Sequence, residues 1–287
     1  MNNLTDMNVL RDILQRHGFN FSKGLGQNFL INPSVCPRIA EMGNAKKGYG
    51  IIEIGTGIGT LTAELAKRAD KVVAIEIDNR LLPILDETLQ DFDNIKIINK
   101  DILEVDIVKL IDEEFDGKRV AVCANLPYYI TSPVIMHLLE SRADIDSITV
   151  MIQKEAAQRL CAEVGTRQSG AITVGVNYYG DAKILFNVSR GSFIPVPNVD
   201  SSVIKIDIDK DKRYGKIDEE FFFKVVKAGF SQRRKTLANS LSAMLGISKE
   251  IIYEILSDIG LNQAVRVESL TMDELVLFSE KLKNSLN

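Results

Sequence analysis

The segment Gly50-Ile51-Ile52-Glu53-Ile54-Gly55-Thr56-Gly57-Ile58-Gly59-Thr60 leads directly into the helical pattern Leu61 to Ala69. A short apolar run, a glycine-rich turn and a helix, in that order, make the first half of a βαβ unit that binds a nucleotide-like ligand. The glycines let backbone approach the ligand, and amides of the following helix point at it. The next apolar run, Lys71 to Ile77, ends in Glu76-Ile77-Asp78. A carboxylate about twenty residues beyond the loop can accept both ribose hydroxyls of such a ligand. The third glycine comes one position earlier than in G-x-G-x-x-G, and the acidic Glu53 precedes the first glycine. Both departures argue against NAD or FAD, and the missing G-K-[ST] excludes an ATP P-loop.

A third strand, Ile95 to Ile98, leads to Asn99-Lys100-Asp101-Ile102-Leu103. Asp101 there could accept a hydrogen bond from an adenine amine, or could cap a turn. The apolar run Val120 to Ala124 delivers Asn125-Leu126-Pro127-Tyr128 to the same edge, where open α/β sheets bind their ligands. Each of these four residues suits holding a planar base that carries an exocyclic amine. The Asn125 amide oxygen and the Leu126 carbonyl can accept from the amine, Pro127 stiffens the turn, and Tyr128 offers a flat face for stacking. The competing reading is a plain strand-ending turn. Upstream, an amphipathic segment at Val9 to Arg16 precedes Lys23-Gly24-Leu25-Gly26-Gln27-Asn28-Phe29-Leu30, a loop that backbone or ligand approaches closely.

Strands alternating with helices through residue 160 predict a parallel, doubly wound sheet. Ala182 to Val188 and Val203 to Ile208 read as later strands, with the extended Ser192-Phe193-Ile194-Pro195-Val196-Pro197 between them. Phe193 serves there either as the wall of a base pocket or as a buried loop anchor. The polar stretch Lys210 to Lys216 divides a first domain, 1–210, from a second, 211–287. The second is helical throughout, at Phe221 to Phe230, Thr236 to Leu245, Lys249 to Ile259 and Met272 to Leu282. Near its start, Arg233, Arg234 and Lys235 form either a phosphate-binding patch or a solvated helix face.

Three widely spaced cysteines and two histidines leave no disulfide framework, metal cluster or His-based triad. The amino terminus lacks a signal-peptide core, and no apolar run approaches the ~20 residues of a membrane span. A cytoplasmic protein is expected. The net charge of −4 counts against a nucleic-acid binder, although phosphate affinity depends on a local patch rather than the total.

The chain resembles the bacterial small-subunit ribosomal RNA adenine dimethyltransferase family over nearly its whole length. The resemblance rests on Gly26-Gln27-Asn28-Phe29-Leu30, Glu53-Ile54-Gly55-Thr56-Gly57-Ile58-Gly59, Glu76-Ile77-Asp78, Asn125-Leu126-Pro127-Tyr128, Gln153-Lys154-Glu155, Phe193-Ile194-Pro195 and Gln232-Arg233-Arg234-Lys235-Thr236, in this order and spacing. It implies a Rossmann-like α/β methyltransferase domain with a small helical C-terminal domain. The implied reaction is dimethylation of two adjacent adenosines near the 3′ end of 16S rRNA, with S-adenosyl-L-methionine as methyl donor. Asn28 and Leu30 would help close the cofactor pocket, and Gly55 and Gly57 would lie against the cofactor. Glu76 and Ile77 would hold its ribose side, Asp101 and Ile102 its adenine. Asn125 would bridge cofactor and target amine with Leu126 and Pro127, and Tyr128 and Phe193 would sandwich the base. Arg233, Arg234 and Lys235 would contact RNA. The partner would be the small ribosomal subunit, met by a monomer without a metal or a membrane, with a role in subunit biogenesis.

Two departures stand out. Thr56 occupies a place where proline is common, which is expected to alter loop stiffness more than chemistry. Gln168-Ser169-Gly170 replaces an aromatic-Gly turn. The alternatives are a large-subunit (23S) adenine methyltransferase of the antibiotic-resistance type and an assembly factor with secondary catalysis. Leu126, the Thr131-Ser132-Pro133 continuation and the Arg-Arg-Lys-Thr segment favour the small-subunit reading. Leu126, where DNA adenine methyltransferases usually carry Pro, disfavours that class.

Overall fold

The computed structural model describes residues 3–286 apart from Lys23, Lys212, Arg213, Gly215, Lys216 and Arg233. The strands among them are β1 (Phe29–Leu30), β2 (Tyr49–Ile54), β3 (Lys71–Glu76), β4 (Ile95–Asn99), β5 (Arg119–Asn125), β6 (Ile145–Gln153), β7 (Gly180–Val188), β8 (Phe193–Ile194) and β9 (Ser201–Ile208). The α-helices are α1 (Met7–Arg16), α2 (Val35–Met42), α3 (Thr60–Ala66), α4 (Leu82–Thr88), α5 (Ile107–Glu114), α6 (Thr131–Glu140), α7 (Lys154–Leu160), α8 (Ala171–Tyr179), α9 (Glu219–Phe230), α10 (Leu237–Leu245), α11 (Lys249–Asp258) and α12 (Met272–Leu286). They group into two compact units, Met1–Ala157 with Lys183–Ile208, and Gln158–Ala182 with Asp209–Asn287.

The first unit is built on a seven-stranded sheet of order β4-β3-β2-β5-β6-β9-β7. Ile51, Ile52, Val72, Val73, Val120 and Val122 are fully buried, as expected of parallel strands covered on both faces. Each such side chain stabilises the fold by about 2 kcal/mol. One cluster packs Ile51, Ala121 and Met151 against Ile39 and Ala40 of α2 and Leu61 and Leu65 of α3. Another joins Leu10 and Ile13 of α1 to Ile84 and Leu85 of α4, with Phe29 and Ile58. The N-terminal arm is thereby anchored beside the glycine-rich loop.

The strands through residue 160 are parallel, as expected, and a later strand of opposite sense extends the sheet. β4, β3, β2, β5 and β6 are parallel, but β9 runs antiparallel to β6 with Ser201 opposite Gln153. The chain returns at the carboxyl edge, where Lys154 N donates to Asp200 O at 3.0 Å, so the next strand must run back down. β6, unanticipated as a separate strand, lies between β5 and β9 with Ile148, Val150, Met151 and Ile152 fully buried. Ile54 aligns with Ile75 and Ala124, Glu76 with Asn99, and Asn125 with Met151. The ends of five strands therefore share one edge. The chain leaves β2 for β3 on one side and comes back to β5 on the other, which opens a ligand crevice between the ends of β2 and β5.

The second unit combines α8 with α9 to α12. Tyr178 stacks on Phe222 at 5.4 Å, and Tyr179 on Phe223 at 5.6 Å. The Ser169 hydroxyl donates to Thr166 O and lies 3.2 Å from Glu268 O. Asp218, Thr236 and Ser248 cap α9, α10 and α11. Residues 158–182, expected in the first domain, group with the C-terminal helices because these aromatic and hydroxyl contacts bind them there. The boundary at 208–209 lies close to the polar stretch singled out in the sequence.

Candidate active site

The crevice is lined by Asn28, Leu30, Gly55, Gly57, Glu76, Ile77, Asp101, Ile102, Asn125, Leu126, Pro127, Tyr128 and Phe193. Residues expected to act on cofactor and base, from six separate stretches of chain, thus meet in one cleft. Arg234 and Lys235 are exposed on the second unit and line no part of it, and Arg233 lies outside the described residues.

At the end of β2 the chain turns through Gly55 with φ 74° and Gly57 with φ 54°, values that exact a strain from any side chain. A Cβ at Gly55 would meet only the Asn125 carbonyl, 3.9 Å away, so the missing side chain leaves room in the cleft. A Cβ at Gly57 would come within 3.3 Å of the Phe29 ring. Glu76, buried at the end of β3, faces this loop. Its Oε2 accepts from Thr56 N at 2.9 Å and from the Thr56 hydroxyl at 3.0 Å, and its Oε1 accepts from Asp78 N at 2.9 Å. Burial raises the pKa of this carboxyl, while the bonds from Asp78 and Thr56 work to keep it charged. Thr56 therefore does more than set loop stiffness, contrary to expectation. Proline would remove both of its donors to the carboxylate proposed to hold ribose.

Asp101 caps a turn, its Oδ1 accepting from Leu103 N at 3.0 Å. It also lines the cleft, so capping and ligand contact are compatible: among the described residues nothing donates to Oδ2. Gln27 has a role that its residue type does not disclose. Its Nε2 donates to Asp78 Oδ2 at 2.7 Å, and Ser22 N donates to its Oε1 at 2.9 Å. The N-terminal loop that presents Asn28 is thus tied to the end of β3. Arg80, at 2.6 Å, holds the Asp78 pKa below the usual carboxylate range.

Asn125 closes β5, and Leu126 N donates to Met151 O at 3.1 Å, which fixes the turn to β6. Among the described residues, neither the Asn125 side-chain amide nor the Leu126 carbonyl is engaged in a hydrogen bond. The Pro127 carbonyl instead accepts from Ile130 N at 3.2 Å. Two acceptors are therefore left open at the mouth of the crevice. The Tyr128 hydroxyl is 2.9 Å from Ser201 Oγ, which orients its ring. Phe193 pairs with Leu30 in the antiparallel β1–β8 ribbon and is 2% exposed, so it is a core anchor that also lines the cleft. Tyr129, not singled out in the sequence, is 58% exposed at the mouth and carries a raised pKa, from burial and then from Asp101 and Glu76. Its only sequence signal was adjacency to Tyr128.

The donors and acceptors suit S-adenosylmethionine. Glu76 and Asp101 offer acceptors for a ribose and an amine, Gly55 leaves space, and the cleft-lining Thr60 has a buried hydroxyl without a partner among the described residues. No cluster of three metal-ligating side chains occurs among the described residues, and no helix there is long and apolar enough to cross a membrane.

Residues 18–284 match the family described as ribosomal RNA adenine dimethylase. The chain is 44% identical to the ribosomal RNA small subunit methyltransferase A of Clostridioides difficile, over 100% of this chain and 99% of that protein. It is 46% identical to the protein of that name in Bacillus cytotoxicus, over 98% of each. Among solved structures it resembles a dimethyladenosine transferase from Plasmodium falciparum, with a TM-score of 0.73 at 25% identity, covering 87% of this chain and 95% of that one. It also resembles the 23S rRNA methyltransferase ErmE, with a TM-score of 0.67 at 26% identity, covering 89% and 99%. The match spans both the crevice of the sheet and the C-terminal helices, and the chain belongs to the ribosomal RNA adenine dimethylase family.

Proposed function

We propose that this protein transfers methyl groups from S-adenosylmethionine to the exocyclic amines of two adjacent adenosines near the 3′ end of 16S rRNA, in the small ribosomal subunit. The observation that carries this reading is the pair of open acceptors, the Asn125 amide and the Leu126 carbonyl, beside the glycine-rich loop and Glu76 in one cleft. Relatives named as small-subunit methyltransferases support the choice of substrate. The protein would act in the cytoplasm as a monomer, with Arg233, Arg234 and Lys235 adding phosphate contacts and subunit biogenesis depending in part on its binding.

When bound, S-adenosylmethionine supplies an electrophilic methyl group on a sulfonium sulfur. Glu76 holds the ribose hydroxyls and the second oxygen of Asp101 takes the adenine amine, with Ile77 and Ile102 as apolar walls. Gly55 and Gly57 let backbone lie against the methionine part, and Asn28 and Leu30 close that side. The target adenine leaves its stack and settles between Tyr128 and Phe193, whose faces offset part of the unstacking cost. An aromatic amine is a weak nucleophile because its lone pair is delocalised into the ring. Asn125 Oδ1 and the Leu126 carbonyl accept its two hydrogens and favour a pyramidal nitrogen, which turns the lone pair out of the ring. The chain's contribution is positioning and electrostatics, without a covalent enzyme intermediate.

The test is methyl transfer from labelled S-adenosylmethionine to unmodified small subunits, large subunits and naked RNA, with mass analysis of the adenines. Dimethyladenine confined to the small subunit is expected. Label only in the large subunit would overturn the substrate in favour of the resistance-type reading. Tight subunit binding without transfer would leave assembly as the leading role.

A further inference from the structure

The Glu76 carboxylate has two oxygens with about four acceptor positions between them. Among the described residues three hydrogen bonds reach it, from Thr56 N, the Thr56 hydroxyl and Asp78 N, and the Gly57 amide also bears on the carboxylate. A ribose donating from both hydroxyls needs two positions, so at least one of the present donors has to withdraw. The backbone amides are fixed, in the glycine-rich turn and just beyond β3. The Thr56 hydroxyl can rotate, and a second acceptor is already within reach, since its oxygen lies 3.3 Å from Gly57 O. It carries one proton and can serve only one of these partners at a time.

We infer that the Thr56 hydroxyl is a stand-in for the cofactor's ribose, donating to Glu76 Oε2 before the cofactor binds and passing to the Gly57 carbonyl when a ribose hydroxyl arrives. This deepens the proposed function and rests on its reading of Glu76 as the ribose acceptor. Such a donor solves a problem that the fold creates. Glu76 is 5% exposed, and burial disfavours its charged form. A carboxylate left short of donors there would tend to take up a proton and lose the acceptor capacity that the ribose needs. Thr56 offsets part of that penalty and aims the carboxylate before the ligand arrives, at the cost of competing with it. It acts as a positioning residue through Glu76, and its position at the glycine-rich turn lets the hydroxyl move without moving the backbone.

The stand-in role reverses the usual sign of a site mutation. Thr56→Val keeps the branched shape and the backbone donor but removes the competing hydroxyl. Calorimetric titration with S-adenosylhomocysteine, which carries the same ribose, is expected to show binding tightened by about fivefold, the scale of one modest net hydrogen bond. The ligand-free melting temperature is expected to fall, and the difference from the parent to narrow when the ligand is saturating. Thr56→Ala, which also lacks the hydroxyl, repeats the pattern should the valine variant fold poorly, while Thr56→Ser binds like the parent. With an analogue lacking the ribose hydroxyls, the gain vanishes. Weaker or unchanged affinity for S-adenosylhomocysteine in both hydroxyl-free variants overturns the inference. Glu76→Gln separates the two levels: unaltered affinity in that variant removes the ribose role of Glu76 itself, whereas weakened affinity there with no gain in the Thr56 variants removes only the stand-in.

Discussion

Replacing Glu53 by Gln should stabilise the protein at alkaline pH and leave it nearly unchanged at acidic pH. Glu53 lies in the middle of β2, fully buried between neighbours Ala74 and Cys123 on the flanking strands. Among the described residues neither carboxyl oxygen has a hydrogen-bond partner, and the Thr62 hydroxyl, which would favour the charged form, does not reach bonding geometry. Burial, reinforced by the charge of Glu76, raises the pKa from 4.5 to about 8. The folded value lies above the unfolded one, so between these limits the folded chain holds a proton that the unfolded chain has lost. Stability therefore falls as pH rises through that window, and levels off above it. At about 1.4 kcal/mol per unit, the loss from pH 5 to pH 8 comes to roughly 3 kcal/mol. Glutamine has the same shape and does not titrate, so the advantage of Glu53→Gln should grow from near zero at pH 5 to about that amount at pH 8. For a chain of this size it corresponds to a rise in melting temperature of about 5–10 °C, read by calorimetry of both proteins across the pH series. A pH-independent difference, or a variant less stable at pH 8, would show that Glu53 is ionised or paired in the folded protein and refute the reasoning.

Asn125→Ala should lower kcat by about a hundredfold or more while changing S-adenosylhomocysteine affinity far less, because a lost transition-state contact costs rate before binding; near-normal turnover would sink the proposed mechanism. Gly50→Ala should destabilise the sheet unit by about 1–3 kcal/mol or more in urea unfolding, since the new Cβ would sit 2.0 Å from the fully buried Phe115 ring. Replacing Arg234 and Lys235 together by Ala should reduce the slope of log affinity for subunit RNA against log salt by about two. An unaltered slope would return those residues to a solvated helix face.

The parts of this fold legible in the sequence are those whose partners are close in the chain. The β2–loop–α3 segment shows a period change and glycines within eleven residues, and Glu76 and Asn125 follow apolar runs that end where the strands end. A strand end states its own position on the edge, and a parallel sheet gathers such ends whatever their separation. β6 was harder to isolate although Ile148-Thr149-Val150-Met151-Ile152 is a strand-like run. Its antiparallel neighbour β9 starts nearly fifty residues later, and nothing local in either announces the reversal that Lys154 and Asp200 make at the edge. The membership of residues 158–182 was hidden for a similar reason: Tyr178 and Tyr179 look like any apolar helix face until Phe222 and Phe223 are placed against them.

The same distinction separates the site residues that were expected from those that were missed. Glu76 could be assigned a ligand because a buried-strand carboxylate is conspicuous by type. Thr56 and Gln27 are ordinary loop residues by type, and each acquires its function from a carboxylate twenty or fifty residues away. Thr56 and the Asp78 amide donate to Glu76 in the crevice wall, while Gln27 and Arg80 donate to Asp78 beyond it, and each set of donors opposes the cost of burying its acid. A network of that kind is settled by which side chains meet. Residue types set only which meetings are worth having, and for that reason Glu76 stood out in advance by its type while the donors around it did not.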